Sequence, residues 1–181
     1  MNSHLLDQFL DSHQSGATES QVTITPINTV TLYQICVQDN EKSALSVLGF
    51  VLPPPSSSSN TGGLSILSVS PDQFWLIQLQ DQTDNASATV ALLLSTHAHV
   101  DLSGARYWMK LSGPGQIALL SRLSSIDFHA DSFLPGHCAQ TVADGIPLLV
   151  WRHPVSHDVH LAAPTSYRAA LQNLIRHCLR A

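Results

Sequence analysis

Charged residues are scarce in this 181-residue chain: they make up 12% of it, while hydrophobic residues make up 44%. The charged fraction is about half of that in a typical soluble domain. A surface so poor in charge is typical of a protein that covers part of itself with partner chains. The length suits one ordinary domain or two small ones, and it is sufficient to bury a core.

Long apolar runs and a secretion signal are also missing. No apolar run approaches the ~20 residues that a membrane helix needs. The segment 1–22 is polar, carries Asp7, Asp11 and Glu19, and lacks the basic start and apolar middle of a signal peptide. We therefore expect a flexible N-terminal tail over 1–22, no membrane partner and a cytoplasmic location.

Cysteine is limited to Cys36, Cys138 and Cys178, which lie far apart and form no CxxC pair. An odd, scattered set argues against a disulfide framework and fits a reducing compartment. We interpret all three as packing residues.

Positive charge is nearly absent from the first half of the chain. Residues 1–100 hold Lys42 as their only cation against eight acids, whereas residues 101–181 hold seven cations against five acids. Neither half has a basic stripe with interleaved aromatic residues, so the sequence predicts no nucleic-acid partner.

Hydrophobic periodicity predicts alternating strands and helices. Strands are predicted at 29–38, 64–70, 74–80, 100–113, 138–145, 146–153 and 158–164. Helices are predicted at 39–49, 84–99, 114–125 and 165–180, and a Pro- and Ser-rich exposed loop at 52–63. The order, βαββαβ and then βαβββα, predicts an α+β fold of two small ferredoxin-like units at 23–98 and 99–181.

A strand-to-helix turn, Ser112-Gly113-Pro114-Gly115-Gln116, is the first candidate for a ligand site, because helix N-termini can bind phosphate. It has neither the Gly-Lys-Ser/Thr of a P-loop nor three spaced glycines. We favour a structural turn in which Gly113 allows close backbone approach and Pro114 starts the helix.

Histidine is abundant, with ten residues, and clusters at His97/His99 and at His153, His157 and His160. A metal is conceivable, but no carboxylate or cysteine stands beside either cluster at ligand spacing. The sequence also lacks GxSxG, a cysteine with a neighbouring base, and a carboxylate pair. It therefore predicts no catalytic, cofactor-binding or metal residue on this chain.

Five segments in a fixed order carry a family resemblance. They are LGFVLPPP with NTGG, SVSPDQFWLIQ, VDLSGARYWMKLSGPGQIALLSRLSSIDF, SFLPGHCAQTVADGIPLLVWR and VHLAAPTSYRAALQNLI. At these spacings, from about Thr29 to Leu179, they resemble the gamma subunit of heterotetrameric sarcosine oxidase. That family is similar in fold to the folate-binding aminomethyltransferases of glycine cleavage, which share the strand-turn-helix signature.

The resemblance implies a non-catalytic assembly subunit that binds the alpha, beta and delta subunits of the complex. Such a complex oxidises sarcosine to glycine, passes the one-carbon unit to tetrahydrofolate and releases hydrogen peroxide. It implies that FAD, FMN, NAD and tetrahydrofolate are bound by other chains. The aminomethyltransferases carry glutamate in the stretch that matches 138–153, and this chain has none there. The alternative is a stand-alone folate-binding or aminomethyltransferase-like one-carbon protein.

Interface residues are expected mainly in 99–181, which holds most of the arginine, a residue favoured at interfaces. The arginines there are Arg106, Arg122, Arg152, Arg168, Arg176 and Arg180. Arg152 beside Trp151 is a candidate anchor. The tryptophans Trp75, Trp108 and Trp151 fit a partner-covered surface and fit a core equally well.

Overall fold

The computed structural model describes residues 21–38, 52–61, 63–79 and 86–180. Within these ranges the chain forms two five-stranded antiparallel sheets and three α-helices, which confirms the predicted α+β class. The predicted tail lies outside the described residues except for Gln21 and Val22, and the helix predicted at 39–49 lies outside them entirely. No helix of the described ranges is long and apolar enough to cross a membrane.

The strands are β1 (Thr23–Ile27), β2 (Val30–Cys36), β3 (Ser58–Thr61), β4 (Leu64–Ser70), β5 (Gln73–Leu79), β6 (His99–Asp101), β7 (Arg106–Ser112), β8 (Cys138–Ala143), β9 (Ile146–Arg152) and β10 (Val159–Pro164). The helices are α1 (Ala86–Thr96), α2 (Gln116–Leu123) and α3 (Arg168–Arg180), and one 3₁₀ turn (Thr165–Tyr167) leads into α3.

The chain forms two compact units. The described part of unit 1 is 21–28, 106–135 and 140–180, and its sheet has the order β1-β7-β10-β9-β8. Unit 2 contains the described residues of 29–105 together with 136–139, and its sheet has the order β3-β4-β5-β2-β6.

The expected boundary between residues 98 and 99 is displaced in this structure. Strand β6 pairs with β2 of unit 2, where Tyr33 lies opposite Asp101. Strand β1 pairs with β7 of unit 1, where Ile24 lies opposite Leu111. The run predicted at 100–113 is therefore two strands in different units. Periodicity identifies a strand, but the choice of partner depends on non-local contacts.

The loop predicted at 52–63 contains a short strand. Ser58–Thr61 forms β3, which pairs with β4 at the edge of the unit 2 sheet. The polar side chains of β3 show no apolar alternation, so the sequence did not indicate a strand. The strand forms all the same, because a backbone ladder needs only N–H and C=O groups.

The core of unit 2 lies between its sheet and α1. Ile35, Leu64 and Leu76 are each 1% exposed and pack in the same cluster as Leu93 of the helix. A turn at Pro71-Asp72 joins β4 to β5, which correspond to the strands predicted at 64–70 and 74–80. Burial of these side chains, rather than intrinsic propensity, stabilises a helix as short as α1.

The core of unit 1 includes a layer between its sheet and α3. Met109 lies opposite Leu161 in the ladder, and both are fully buried. Tyr107, two residues before Met109, shares its face and accepts a 2.9 Å hydrogen bond from Gln172 of α3. The hydrogen bond satisfies the amide of Gln172, which is 2% exposed.

The predicted turn at 112–116 joins β7 to α2, and we call it the elbow. Gly113 has a φ of +98°, a conformation that glycine adopts without steric cost. The N–H of Gly115 donates a 3.0 Å hydrogen bond to the carbonyl oxygen of Gln21. A Cβ on Gly113 would lie 2.7 Å from that same oxygen. The elbow thus fixes the start of β1 against β7 and α2.

We predict that Gly113→Ala destabilises the chain by about 1–3 kcal/mol, since it adds a Cβ where φ is positive and the Gln21 carbonyl is in contact. That loss lowers Tm by about 2–4 °C for each kcal/mol in a chain of this length. Thermal melts measure it.

Two glycines serve as matched controls. Gly145 has a φ of +80° and open space where an added Cβ would lie, so Gly145→Ala reports backbone strain alone. Gly104 has open space as well, and Gly104→Ala should leave Tm within about 1–2 °C of the wild type. Equal losses for Gly113→Ala and Gly145→Ala would show that the contact with Gln21 contributes nothing.

Candidate functional site

Three aromatic side chains of unit 1 pack against one another, and the sequence analysis singled out all three. We call Trp151, His153 and His160 the ring cluster. His160 lies opposite Trp151 in the β9–β10 ladder, and His153 follows Trp151 by two positions, which places it on the same face. Ring centroids are 4.9 Å apart for Trp151–His160, 5.1 Å for Trp151–His153 and 5.8 Å for His153–His160.

Hydrogen bonds hold the ring of His153 in place. Its Nδ1 accepts the N–H groups of Val155 and Ser156, each at 3.2 Å, and this orders the turn after β9. His157 belongs to that turn, with a φ of +62°, and its side chain is exposed. The structure thus brings His153 and His160 together and leaves His157 outside the cluster.

Burial controls the protonation of both rings. Burial, together with smaller contributions from the neighbouring His153 and Lys110, lowers the pKa of His160 to about 3. Burial also lowers the pKa of His153, although Asp158 acts in the opposite direction. The Nδ1 atom of His160 has no hydrogen-bond partner. Both rings are therefore neutral at pH 7, and they act as packed aromatic groups rather than as an acid–base pair.

The ring cluster does not supply a metal-ligand set. In the described ranges no three His, Cys, Asp or Glu side chains are placed to hold a metal ion. A histidine ligand coordinates through a ring nitrogen lone pair, and the Nδ1 lone pair of His153 is already occupied by two backbone N–H groups.

The pair His97 and His99 of unit 2 serves a local structural purpose. The Nδ1 atom of His97 lies 3.2 Å from Leu93 O and 2.8 Å from Thr96 Oγ1, at the end of α1. The Nδ1 atom of His99 lies 3.1 Å from the carbonyl oxygen of His97. These contacts hold both rings against the backbone and hydroxyl groups at the end of α1.

The cysteines differ in burial. The Cys138 thiol lies 3.5 Å from Ser57 O and 3.6 Å from Ser68 O, and burial raises the pKa of Cys138 to about 12. Such a thiol is protonated at pH 7 and is a poor nucleophile. Cys178 is buried as well, but Cys36 is exposed at the end of β2, so its interpretation as a packing residue is wrong.

Trp151 and Arg152 were expected to anchor a partner chain, but both side chains make contacts within unit 1. Trp151 is completely buried, and Arg152 Nη1 donates a 2.6 Å hydrogen bond to Phe133 O within unit 1. Trp75 and Trp108 are also buried, at 4% and 1% exposure. The tryptophans are therefore core residues.

Most of the other arginines also contact their own unit. Arg168 lies over the ring of Tyr107 at 4.9 Å, and Arg122 donates a 2.6 Å hydrogen bond to Cys178 O. Arg176 bonds Asn173 on the same helix, and burial lowers the pKa of Arg106. Sequence composition could not separate these internal contacts from interface positions.

Folate is the cofactor that the family resemblance suggests, and the residues present do not fit it. A pterin ring presents donors that require a carboxylate or amide acceptor. In the segment 138–153 the only carboxylate is Asp144 and the only side-chain amide is Gln140, and both are exposed, Asp144 at the turn between β8 and β9 with a φ of +48°. The ring cluster has neither a carboxylate nor an amide, and its three side chains are buried.

We predict that stability falls as the pH drops because of His160. Its folded-state pKa is lowered, so the unfolded chain takes up the proton first below about pH 6.5. The stability is present above that pH and is lost as the pH falls towards 3. At this residue, a change from pH 7 to pH 5 costs about 2 kcal/mol. His160→Phe should remove that part of the pH dependence, measured by urea unfolding at several pH values.

His129 provides the control, because its side chain is 68% exposed. His129→Gln measures the effect of replacing a histidine at the surface. If His160→Phe also follows the wild-type profile between pH 7 and pH 5, the assignment to His160 is wrong.

No family model matches the chain, and no curated protein matches it in sequence. Comparison of folds does find relatives. A chain of heterotetrameric sarcosine oxidase from Corynebacterium sp. U-96, in complex with pyrrole 2-carboxylate, superposes with a TM-score of 0.82 at 20% identity. The match covers 97% of this chain and 92% of that one.

A second solved structure has a related fold over part of its length. Glycine cleavage system aminomethyltransferase T from Bartonella henselae matches with a TM-score of 0.60 at 17% identity. The match covers 87% of this chain but 46% of the aminomethyltransferase, so this chain spans about half the length of that protein. The chain therefore has, over nearly its whole length, the fold of one chain of a heterotetrameric sarcosine oxidase, and that fold recurs in part of an aminomethyltransferase.

Proposed function

We propose that this chain is a non-catalytic gamma-type subunit of a sarcosine oxidase complex. The observation that carries the proposal is the fold match to a chain of comparable length in heterotetrameric sarcosine oxidase, which extends over almost all of both chains. The five ordered sequence segments from about Thr29 to Leu179 support the same assignment. In this proposal the complex oxidises sarcosine to glycine, transfers the one-carbon unit to tetrahydrofolate and releases hydrogen peroxide.

The chemistry of the described side chains favours an assembly role over catalysis. In the elbow, the N–H of Gly115 donates a hydrogen bond to the carbonyl oxygen of Gln21. The histidines of the ring cluster are buried and neutral, and the Cys138 thiol is protonated at neutral pH. Each of these groups therefore stabilises the chain itself. The low charged fraction, 12%, is in keeping with a surface covered by partner subunits.

The cofactors of the complex belong, in this proposal, to its other chains. FAD, FMN, NAD and tetrahydrofolate would be bound by the alpha, beta and delta subunits, and this chain would bind those subunits in the cytoplasm. The segment 138–153, where the aminomethyltransferases carry glutamate, has no glutamate here, which supports the placement of folate elsewhere.

A stand-alone one-carbon protein is the second candidate, and the aminomethyltransferase fold match favours it. It requires a folate site within a chain about half as long as that enzyme. The segment 138–153 has no glutamate and no buried carboxylate or amide, which weighs against it.

The two candidates make opposite predictions for purified protein. We expect the chain expressed alone to be colourless and to bind no folate in calorimetric titrations with tetrahydrofolate. Expressed together with the large flavoprotein subunits of its own organism, it should purify in a complex that converts sarcosine to glycine and hydrogen peroxide. Stoichiometric flavin or folate on the isolated chain would contradict the assembly role.

A further inference from the structure

The turn that joins β9 to β10 uses a histidine ring as a hydrogen-bond acceptor. We call residues 153–158 the β9–β10 turn. The Nδ1 atom of His153 accepts the N–H groups of Val155 and Ser156, each at 3.2 Å. Carbonyl oxygens and water, the usual acceptors for the N–H groups of a turn, do not titrate near neutral pH, whereas a histidine ring does. Two hydrogen bonds of this turn therefore depend on a titratable atom.

These two hydrogen bonds require one protonation state of the ring. Because both donors are N–H groups, Nδ1 of His153 must present its lone pair, and the hydrogen of the neutral ring lies on Nε2. A protonated imidazole donates from both nitrogens and accepts at neither. A proton on Nδ1 would therefore face the N–H groups of Val155 and Ser156 and replace two attractive contacts by repulsive ones.

The backbone of the turn closes through two further hydrogen bonds. The N–H of His153 donates to Asp158 O at 2.9 Å, and the N–H of His157 donates to His153 O at 3.1 Å. His157 has a φ of +62°, a conformation that costs free energy in a residue other than glycine. Val155, Ser156 and His157 are exposed, and Val155 at the tip is 74% exposed. The turn can therefore open without removing these three side chains from the core.

The groups around the His153 ring come from the turn and from three strands. Burial lowers the pKa of His153, and the smaller effect of Asp158 raises it. Asp158 lies 3.9 Å from the Nζ atom of Lys110 on β7, and the neutral ring of His160 on β10 packs at 5.8 Å. On β9 the guanidinium of Arg152 donates to a carbonyl of another segment. The closed turn thus disfavours a proton on His153, which an opened, hydrated ring accepts more readily.

We propose that the β9–β10 turn is a proton-operated latch, closed by the neutral ring of His153 and released when that ring takes up a proton at Nδ1. Release moves Val155 and frees two backbone N–H groups, so the chain presents a different surface at this end of the unit 1 sheet in mild acid. The step is reversible, because it exchanges one proton with water and breaks no covalent bond. The latch is independent of the assembly role, since all of its residues belong to unit 1.

Amide hydrogen exchange of the full chain, followed by NMR, tests the latch. The opened ring has the ordinary histidine pKa of about 6.5, so the fraction of open turns should rise about five- to tenfold between about pH 7 and pH 5.5. The protection of the Val155 and Ser156 amides, corrected for the intrinsic exchange rate at each pH, should fall by the same factor. The NMR shifts of the ring nitrogens should show at neutral pH that Nδ1 of His153 carries no hydrogen.

Two variants separate the acceptor from the ring. His153→Asn places an amide oxygen close to the position of Nδ1, where it accepts the same N–H groups but cannot be protonated. The protection of Val155 and Ser156 should then be independent of pH. His153→Phe keeps an aromatic ring beside Trp151 but has no acceptor, so the protection should be low throughout. Urea unfolding of each protein at each pH gives the exchange that passes through global unfolding, which is subtracted.

Four results would each overturn the latch. They are constant protection in the wild type, an equal fall of protection in His153→Asn, wild-type protection in His153→Phe, and a hydrogen on Nδ1 at neutral pH. Where a variant does not fold, the exchange and the ring-nitrogen shifts of the wild type decide. All four leave the proposed function standing, because co-purification with the flavoprotein subunits tests that function separately.

Discussion

A single backbone hydrogen bond, from Gly115 to the carbonyl of Gln21, organises unit 1. It joins the start of β1 to the first turn of α2, and the positive φ of Gly113 lets the two segments approach that closely. Strand β1 lies far before its neighbour β7 in the chain, so its position depends on this contact and on the ladder that follows. An elbow that resembles a phosphate loop in composition therefore binds the chain's own backbone.

Hydrogen bonds from long polar side chains also hold the segments of unit 1 together. Gln172 donates to Tyr107 and Arg152 to Phe133, which connects α3 and a loop to the sheet, and Arg122 donates to Cys178, which connects α2 to α3. The ring cluster adds two neutral histidines to a tryptophan in the core. Burying these polar groups costs desolvation free energy. Their hydrogen bonds offset that cost only where each buried donor and acceptor has a partner. Most arginines of the second half of the chain thus make contacts within unit 1.

Local pattern was informative wherever an element depends on its own residues. The hairpin at Pro71-Asp72, the strands β8 to β10, helix α2 after its proline and the amphipathic α3 all occur where periodicity and turn residues predicted them. The elbow was recognised as a structural turn for the same reason, since glycine and proline act on their own backbone. The sequence did not predict two strands: β3, because its side chains are polar, and β1, because it is only five residues long.

By itself the sequence determined the α+β class, the absence of known ligand motifs and the family resemblance, because each is written in local order and spacing. Only the tertiary structure decided which strands pair, and so it moved β1 into unit 1 and left β6 in unit 2. It also decided that His153 and His160 meet while His157 does not, and that Trp151 lies in the core. Burial and partner choice are properties of contacts between distant segments, and no local pattern contains them.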